Sequence, residues 1–193
     1  MTAKEAFFAE LRSVIRTHER DVARVFQPLD DAVLKWRPEP KEWSILICFD
    51  HLKQTYAYYQ PRIEQALAAP VPVAGSVDRY RPSFWGRIYM FFALNPRWSF
   101  PTPAALMPAD APERTVLAEY LVKQQELMEL LQRLDQVDLI RTHIPIERGV
   151  SFNLGDCLKI LVYHDSLHIR QAHNVLRTWE SSGNQQTSPS SSI

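Results

Sequence analysis

The stretch SFNLGDCLKILVYHDSLHIRQAHNVLRTW, residues 151–179, decides the fold. Leu154, Leu158, Leu161, His164, His168, Gln171, Val175 and Trp179 recur at steps of three and four, which places them along one side of an α-helix. Asn153, with Asp156 three residues on, stands where an N-cap pair belongs. His164 and His168 are four residues apart, so both imidazoles leave the same face one turn from each other. That face is the apolar one, and burying two unpartnered imidazoles is costly. One divalent ion removes the cost, because both nitrogens can reach it at about 2.0–2.1 Å. The competing reading is a chance i, i+4 pair of hydrogen-bonded core histidines, and spacing alone does not choose between the two.

Working outward, the same period appears three more times. Phe7/Phe8, Leu11, Val14/Ile15, His18, Val22, Val25/Phe26 and Leu29 form one stripe, closed by Pro28 and Asp30–Asp31. The prolines of LKWRPEPKEW forbid a helix there, and Ser44 then offers an N-cap for a second helix over about 45–68. Pro61 inside it predicts a kink near Tyr58. A third helix carries Val116/Leu117, Tyr120/Leu121, Leu127/Met128, Leu130/Leu131, Leu134 and Val137, with Asp110, Pro112 and Glu113 as start signals. No strand pattern competes. The expectation is an all-α four-helix bundle with an insertion rich in proline and aromatics between the second and third helices. Residues 1–180 would form one domain, and the serine-rich 181–193 a disordered tail.

Composition narrows the function classes. Lys+Arg and Asp+Glu both total 22, so no overall basic charge favours nucleic acid as a partner. Only 5 glycines are present, and Gly149 and Gly155 fit neither G-x-G-x-x-G nor a P-loop. Dinucleotide and P-loop phosphate cradles are thereby excluded. Cys48 and Cys157 make no C-x-x-C and fall within apolar helical patterns, as small core residues do. The amphipathic N-terminus lacks the apolar core of a signal peptide, and the longest apolar run, IYMFFAL at 88–94, is too short to span a bilayer. A soluble cytoplasmic protein is expected.

His51, in FDHLK, adjoins the apolar stripe of the second helix at Leu52. The block LKWRPEPKEWSILICFDHL, with SFNLGDCLKILVYHDSLHIRQ far downstream, resembles the DinB-like superfamily of metal-binding four-helix bundles. The matching positions are Trp43, Ser44 and His51, then His164, His168 and Gln171, over roughly residues 5–180. Ile47 departs from the pattern, since many relatives carry an acid there. The resemblance implies one divalent metal on His51, His164 and His168, with nickel, zinc, iron or manganese all compatible. Three imidazoles leave coordination positions open, as catalytic sites do. Asp50, Asp165 and Gln171 are candidate supports of the ligands; Asp165 could accept the distal N–H of His168, or stand as an exposed helix acid. His18 reads as a satisfied core histidine, His143 and His173 as loop and surface, and Cys48 as a pocket wall.

Two functions follow from the resemblance. One is a metal-dependent enzyme, a thiol-dependent S-transferase or hydrolase acting on a small electrophilic substrate with a low-molecular-weight thiol. The other is a non-catalytic metal-binding or stress-associated protein. Between Tyr80 and Phe100, eight aromatics interleave with Arg79, Arg81, Arg87 and Arg97 and with no acid. A short helix at about 83–93 that plugs the bundle and serves as a lid or a dimer surface is expected there. That aromatic surplus makes a homodimer the expected assembly.

Overall fold

In the computed structural model, the described residues are 1–69, 80–93, 102–146 and 149–183, with only the backbone of Phe92 and Ala93. The expected disordered tail therefore lies almost wholly outside them, as do Trp98 and Phe100.

Four long helices form the bundle: α1 (Ala3–Asp21), α3 (Ile45–Ala68), α5 (Val116–Arg133) and α6 (Leu154–Ser181). Short helices α2 (Asp31–Lys35) and α4 (Phe84–Ala93) occupy the connections. Helix α3 packs against both α6 and α5, and α1 closes the other side against the same pair. The apolar stripes meet inside, with Leu11, Ile15, Phe49, Leu52, Tyr120, Leu131, Leu158 and Leu161 essentially inaccessible to solvent. Each such side chain contributes roughly 1.5–3 kcal/mol relative to exposure.

The caps explain where the helices begin. Thr2 and Glu5 exchange reciprocal hydrogen bonds at the start of α1. Ser44 Oγ accepts from the Ile47 amide at 3.2 Å to open α3, and Asn153 Oδ1 accepts from the Asp156 amide at 2.7 Å to open α6.

Helix α3 spans the residues expected of it, with Pro61 inside. The structure differs from the sequence reading in three places. The first stripe is not one α-helix: after Asp21 the chain widens into a π-helical turn, Val22–Phe26, which keeps Val22 and Phe26 buried in a shifted register. Helix α5 starts at Val116, past all three expected start signals, Asp110 pairing instead with Arg37, and it stops at Arg133, short of Val137. A two-stranded hairpin, β1 (His143–Pro145) with antiparallel β2 (Ser151–Asn153), precedes α6. Its paired Ile144 and Phe152 are buried, and the turn carries Gly149 at φ +77°. Beside it, the Leu154 and Gly155 amides donate to the carbonyls of Thr142 and Leu139, so two orphan donors of α6 are satisfied.

Helix α4 lies where a short helix of the insertion was expected, and it packs on α6 and β2. Tyr80 O–H donates to Asp156 Oδ1 at 2.7 Å and the Ser83 amide to Asp156 Oδ2 at 3.0 Å. A Cβ on Gly86 would lie 2.3 Å from the same carboxylate, so only glycine lets α4 approach this closely. No helix among the described residues is long and apolar enough to cross a membrane.

Candidate metal centre

Helices α3 and α6 bring His51, His164 and His168 together across 113 residues of chain. His51 Nε2 lies 3.3 Å from His164 Nε2, and His168 Nε2 lies 3.2 Å from the same atom. One ring nitrogen of each histidine falls within 4.8 Å of the others, close enough for the three to hold one metal ion.

The opposite edges of the rings show how they are aimed. The Leu106 carbonyl lies 2.8 Å from His51 Nδ1, and a carbonyl only accepts, so Nδ1 carries the proton and Nε2 presents a lone pair. Gln171 Oε1 stands 2.9 Å from His168 Nδ1 and fixes that ring the same way. At least two lone pairs therefore point at one small volume. Two bare nitrogens that close repel unless a cation or a proton sits between them. His164 has no partner at Nδ1. A divalent ion fits this donor set.

Burial holds the rings in their neutral form. It lowers the pKa of His51 and, together with the neighbouring rings of His168 and His51, pushes His164 well below the usual histidine range. His168 is pushed down to about 3, mainly by burial, with His51 adding to the shift and Gln171 opposing it. All three are thus neutral at physiological pH. Trp43 covers them: its ring lies 4.9 Å from that of His51 and stacks on His168 at 5.5 Å.

The proposed supporting residues divide. Gln171 does hold one of the three histidines, His168. Asp50 acts at one remove: its Oδ2 accepts from the Ala109 amide at 2.8 Å, pinning the segment whose Leu106 carbonyl takes the His51 proton. Lys53 balances that carboxylate at 2.8 Å. Asp165 does not reach His168. It sits 100° around α6 from His164 and turns into the bundle, where its Oδ2 accepts from Tyr56 (2.8 Å), Tyr120 (2.9 Å) and Gln124 (2.8 Å). Burial pushes its pKa up to about 7 even though those three donors pull it down.

The other candidates stand apart from the cluster. His18 is a core histidine bonded to Ser166 Oγ at 2.8 Å. His143 is an exposed strand residue. His173 is half-buried, 3.3 Å from Asp21 and packed on Phe26. Cys48 and Cys157 are free thiols buried in the core, where desolvation raises both pKa values. The residues at the histidines that sequence reasoning passed over are the 104–106 turn and its Leu106 carbonyl, for backbone acceptors carry no sequence signal. Helix α4 contacts the other end of α6, and the groove between α3 and α5 lined by Tyr56, Gln60 and Lys123 includes none of the three histidines.

A helical bundle with three inward histidines shared by two of its helices is the class that fold and site define. A family model described as the DinB superfamily matches residues 15–172, and the chain belongs to that superfamily. No curated protein and no solved structure gives a significant match.

Proposed function

We propose that His51, His164 and His168 hold one divalent metal ion, and that the protein is a metal-dependent enzyme acting on small electrophilic molecules, by thiol-dependent transfer or by hydrolysis. The observation that carries this reading is the convergence of three Nε2 atoms with two Nδ1–H groups tied outward. An ion held there supplies a Lewis-acid centre that lowers the pKa of a water or thiol bound to it.

The chain's own residues do the positioning. Leu106 and Gln171 hold two imidazoles in the tautomer a ligand needs, so neither of those rings must reorient on binding. Trp43 shields one side of the cluster from bulk water, which strengthens electrostatic interactions inside. Asp165, bonded to α3 through Tyr56 and to α5 through Tyr120 and Gln124, keeps α6 in register with both neighbours.

The test is metal analysis of protein purified without a metal-affinity column, followed by conjugation assays with low-molecular-weight thiols and electrophilic acceptors. Metal near one equivalent with metal-dependent turnover supports the enzyme. Metal without turnover across thiol and water nucleophiles supports the non-catalytic metal-binding reading instead.

A further inference from the structure

The support of His51 is carried on a separate piece of chain. Residues 104–110 lie against α3 as a strap that opens with the 3-10 turn Ala104–Leu106. Leu106 is buried, whereas Met107, Ala109 and Asp110 are exposed. Asp50 and His51 are consecutive on α3, so their side chains leave it about 100° apart, yet both reach this strap. His51 Nδ1 donates to the Leu106 carbonyl at 2.8 Å, and Asp50 Oδ2 accepts from the Ala109 amide at 2.8 Å. Two attachments three residues apart fix the strap's direction as well as its distance. The other oxygen, Asp50 Oδ1, takes Lys53 Nζ at 2.8 Å, and Lys53 reaches on to Glu119 of α5 at 2.9 Å, so the carboxylate is held from both sides. Arg37 adds an outer tie, its Nη2 donating to Asp110 Oδ1 at 2.7 Å and to the Asp110 carbonyl.

We propose that Asp50 is a positioning residue for the metal centre: by gripping the strap at Ala109 it keeps the Leu106 carbonyl on His51, and so sets which nitrogen of that ring is free. An imidazole with no acceptor at Nδ1 can carry its proton on either nitrogen, and only the Nδ1–H form leaves Nε2 open to an ion. A backbone carbonyl is placed only as well as the chain that bears it. Asp50 supplies that placement through a carboxylate–amide hydrogen bond, one of the stronger kinds. The inference deepens the metal-site reading and rests on it for metal affinity, but the tautomer of His51 is a property of the metal-free chain.

The experiment therefore has two readouts on the full chain. Nitrogen-15 NMR of the histidine-labelled, metal-free protein reads which nitrogen of His51 carries the proton, and competition with a chromogenic chelator reads zinc affinity. Wild type should show the Nδ1–H form. Asp50→Ala should give mixed tautomers and about tenfold weaker zinc binding, the scale of losing an outer partner of a metal ligand. Asp50→Asn keeps a carbonyl oxygen for the Ala109 amide and should restore both readouts. Ala109→Pro removes the amide itself at an exposed position, should reproduce Asp50→Ala, and decides the matter if Asp50→Ala does not fold. The same His51 tautomer in wild type, Asp50→Ala and Ala109→Pro overturns the proposal, even where stability falls. So does unchanged zinc affinity in both variants of a chain that binds zinc. A tautomer altered in the variants of a chain that takes up no metal supports the role of Asp50 and counts against the ion instead.

Discussion

Asp165→Leu removes an acceptor that three buried donors share. Leucine fills a similar volume, so the change is mainly one of hydrogen bonding. The hydroxyls of Tyr56 and Tyr120 and one N–H of Gln124 lose their partner at 2.8–2.9 Å. Tyr120 and Gln124 are fully buried and Tyr56 nearly so, and solvent cannot replace the carboxylate. Each stranded donor costs about 1–3 kcal/mol, so the gross loss is roughly 3–9 kcal/mol. Against this stands the relief of no longer burying an acid whose pKa is pushed up to about 7, a shift worth about 4 kcal/mol if the group is fully ionised. Half-protonation near pH 7 trims that relief by only about 0.4 kcal/mol, so against the middle of the gross range, about 6 kcal/mol, the net loss is about 2 kcal/mol. In a chain of this size that lowers the Tm by roughly 4–8 °C. Asp165→Asn keeps a neutral carbonyl acceptor with two lone pairs and should lose much less. The assay is thermal and urea denaturation of both variants with chelator present, so that the metal does not contribute. Asp165→Leu at least as stable as wild type would refute the reasoning, since buried charges are sometimes replaced by apolar groups at no cost.

Other perturbations probe separate parts of the account. Gln171→Leu frees His168 to rotate and should weaken metal binding about 10–100-fold with little change in apo stability, as read by competition with a chromogenic chelator. His18 is held down to about 4 by burial, partly opposed by Asp21, whereas the unfolded chain titrates near 6.5. The stability it contributes is complete above pH 6.5 and is lost as pH falls toward 4, about 3 kcal/mol in all. His18→Gln should make the urea midpoint fall less steeply between those pH values, the three clustered histidines still contributing their share; an unchanged slope would show that His18 is not among the groups responsible. Gly86→Ala drives a methyl group into the Asp156 carboxylate and should release α4, seen as faster proteolysis after Arg87. Equal cleavage rates would mean that the close approach does not hold the helix.

Much of the fold was legible because long amphipathic helices declare themselves through spacing, and Ser44 and Asn153 through their capping chemistry. The hairpin escaped because strands of three residues leave no alternation to read, and its buried Ile144 sits in what looks like loop sequence. The π turn escaped because Val22 and Phe26 stand four residues apart, a step that α- and π-helical turns both accommodate. At the site, the i, i+4 spacing of His164 and His168 suggested a metal; His51 stood out only as a histidine beside the second helix's apolar stripe, and its place with the pair came with the family resemblance, since nothing local pairs it with residues 113 positions away. Asp165 was misassigned because three residues of separation put it near His168 in sequence, while the helix turns its side chain toward Tyr56 and Tyr120.

The central claim is that three histidines hold one ion in the folded protein. An ion bound only by the native state stabilises it by about 2.7 kcal/mol at a hundredfold excess over Kd. The most direct measurement is metal stoichiometry by mass spectrometry, with the metal-dependent shift in Tm, on tag-free wild type, His168→Ala and His173→Ala. Near one equivalent and a clear shift are predicted for wild type and for His173→Ala, whose imidazole is engaged with Asp21 and Phe26. His168→Ala should bind well below one equivalent and show no shift. Equal metal content in wild type and His168→Ala would contradict the account.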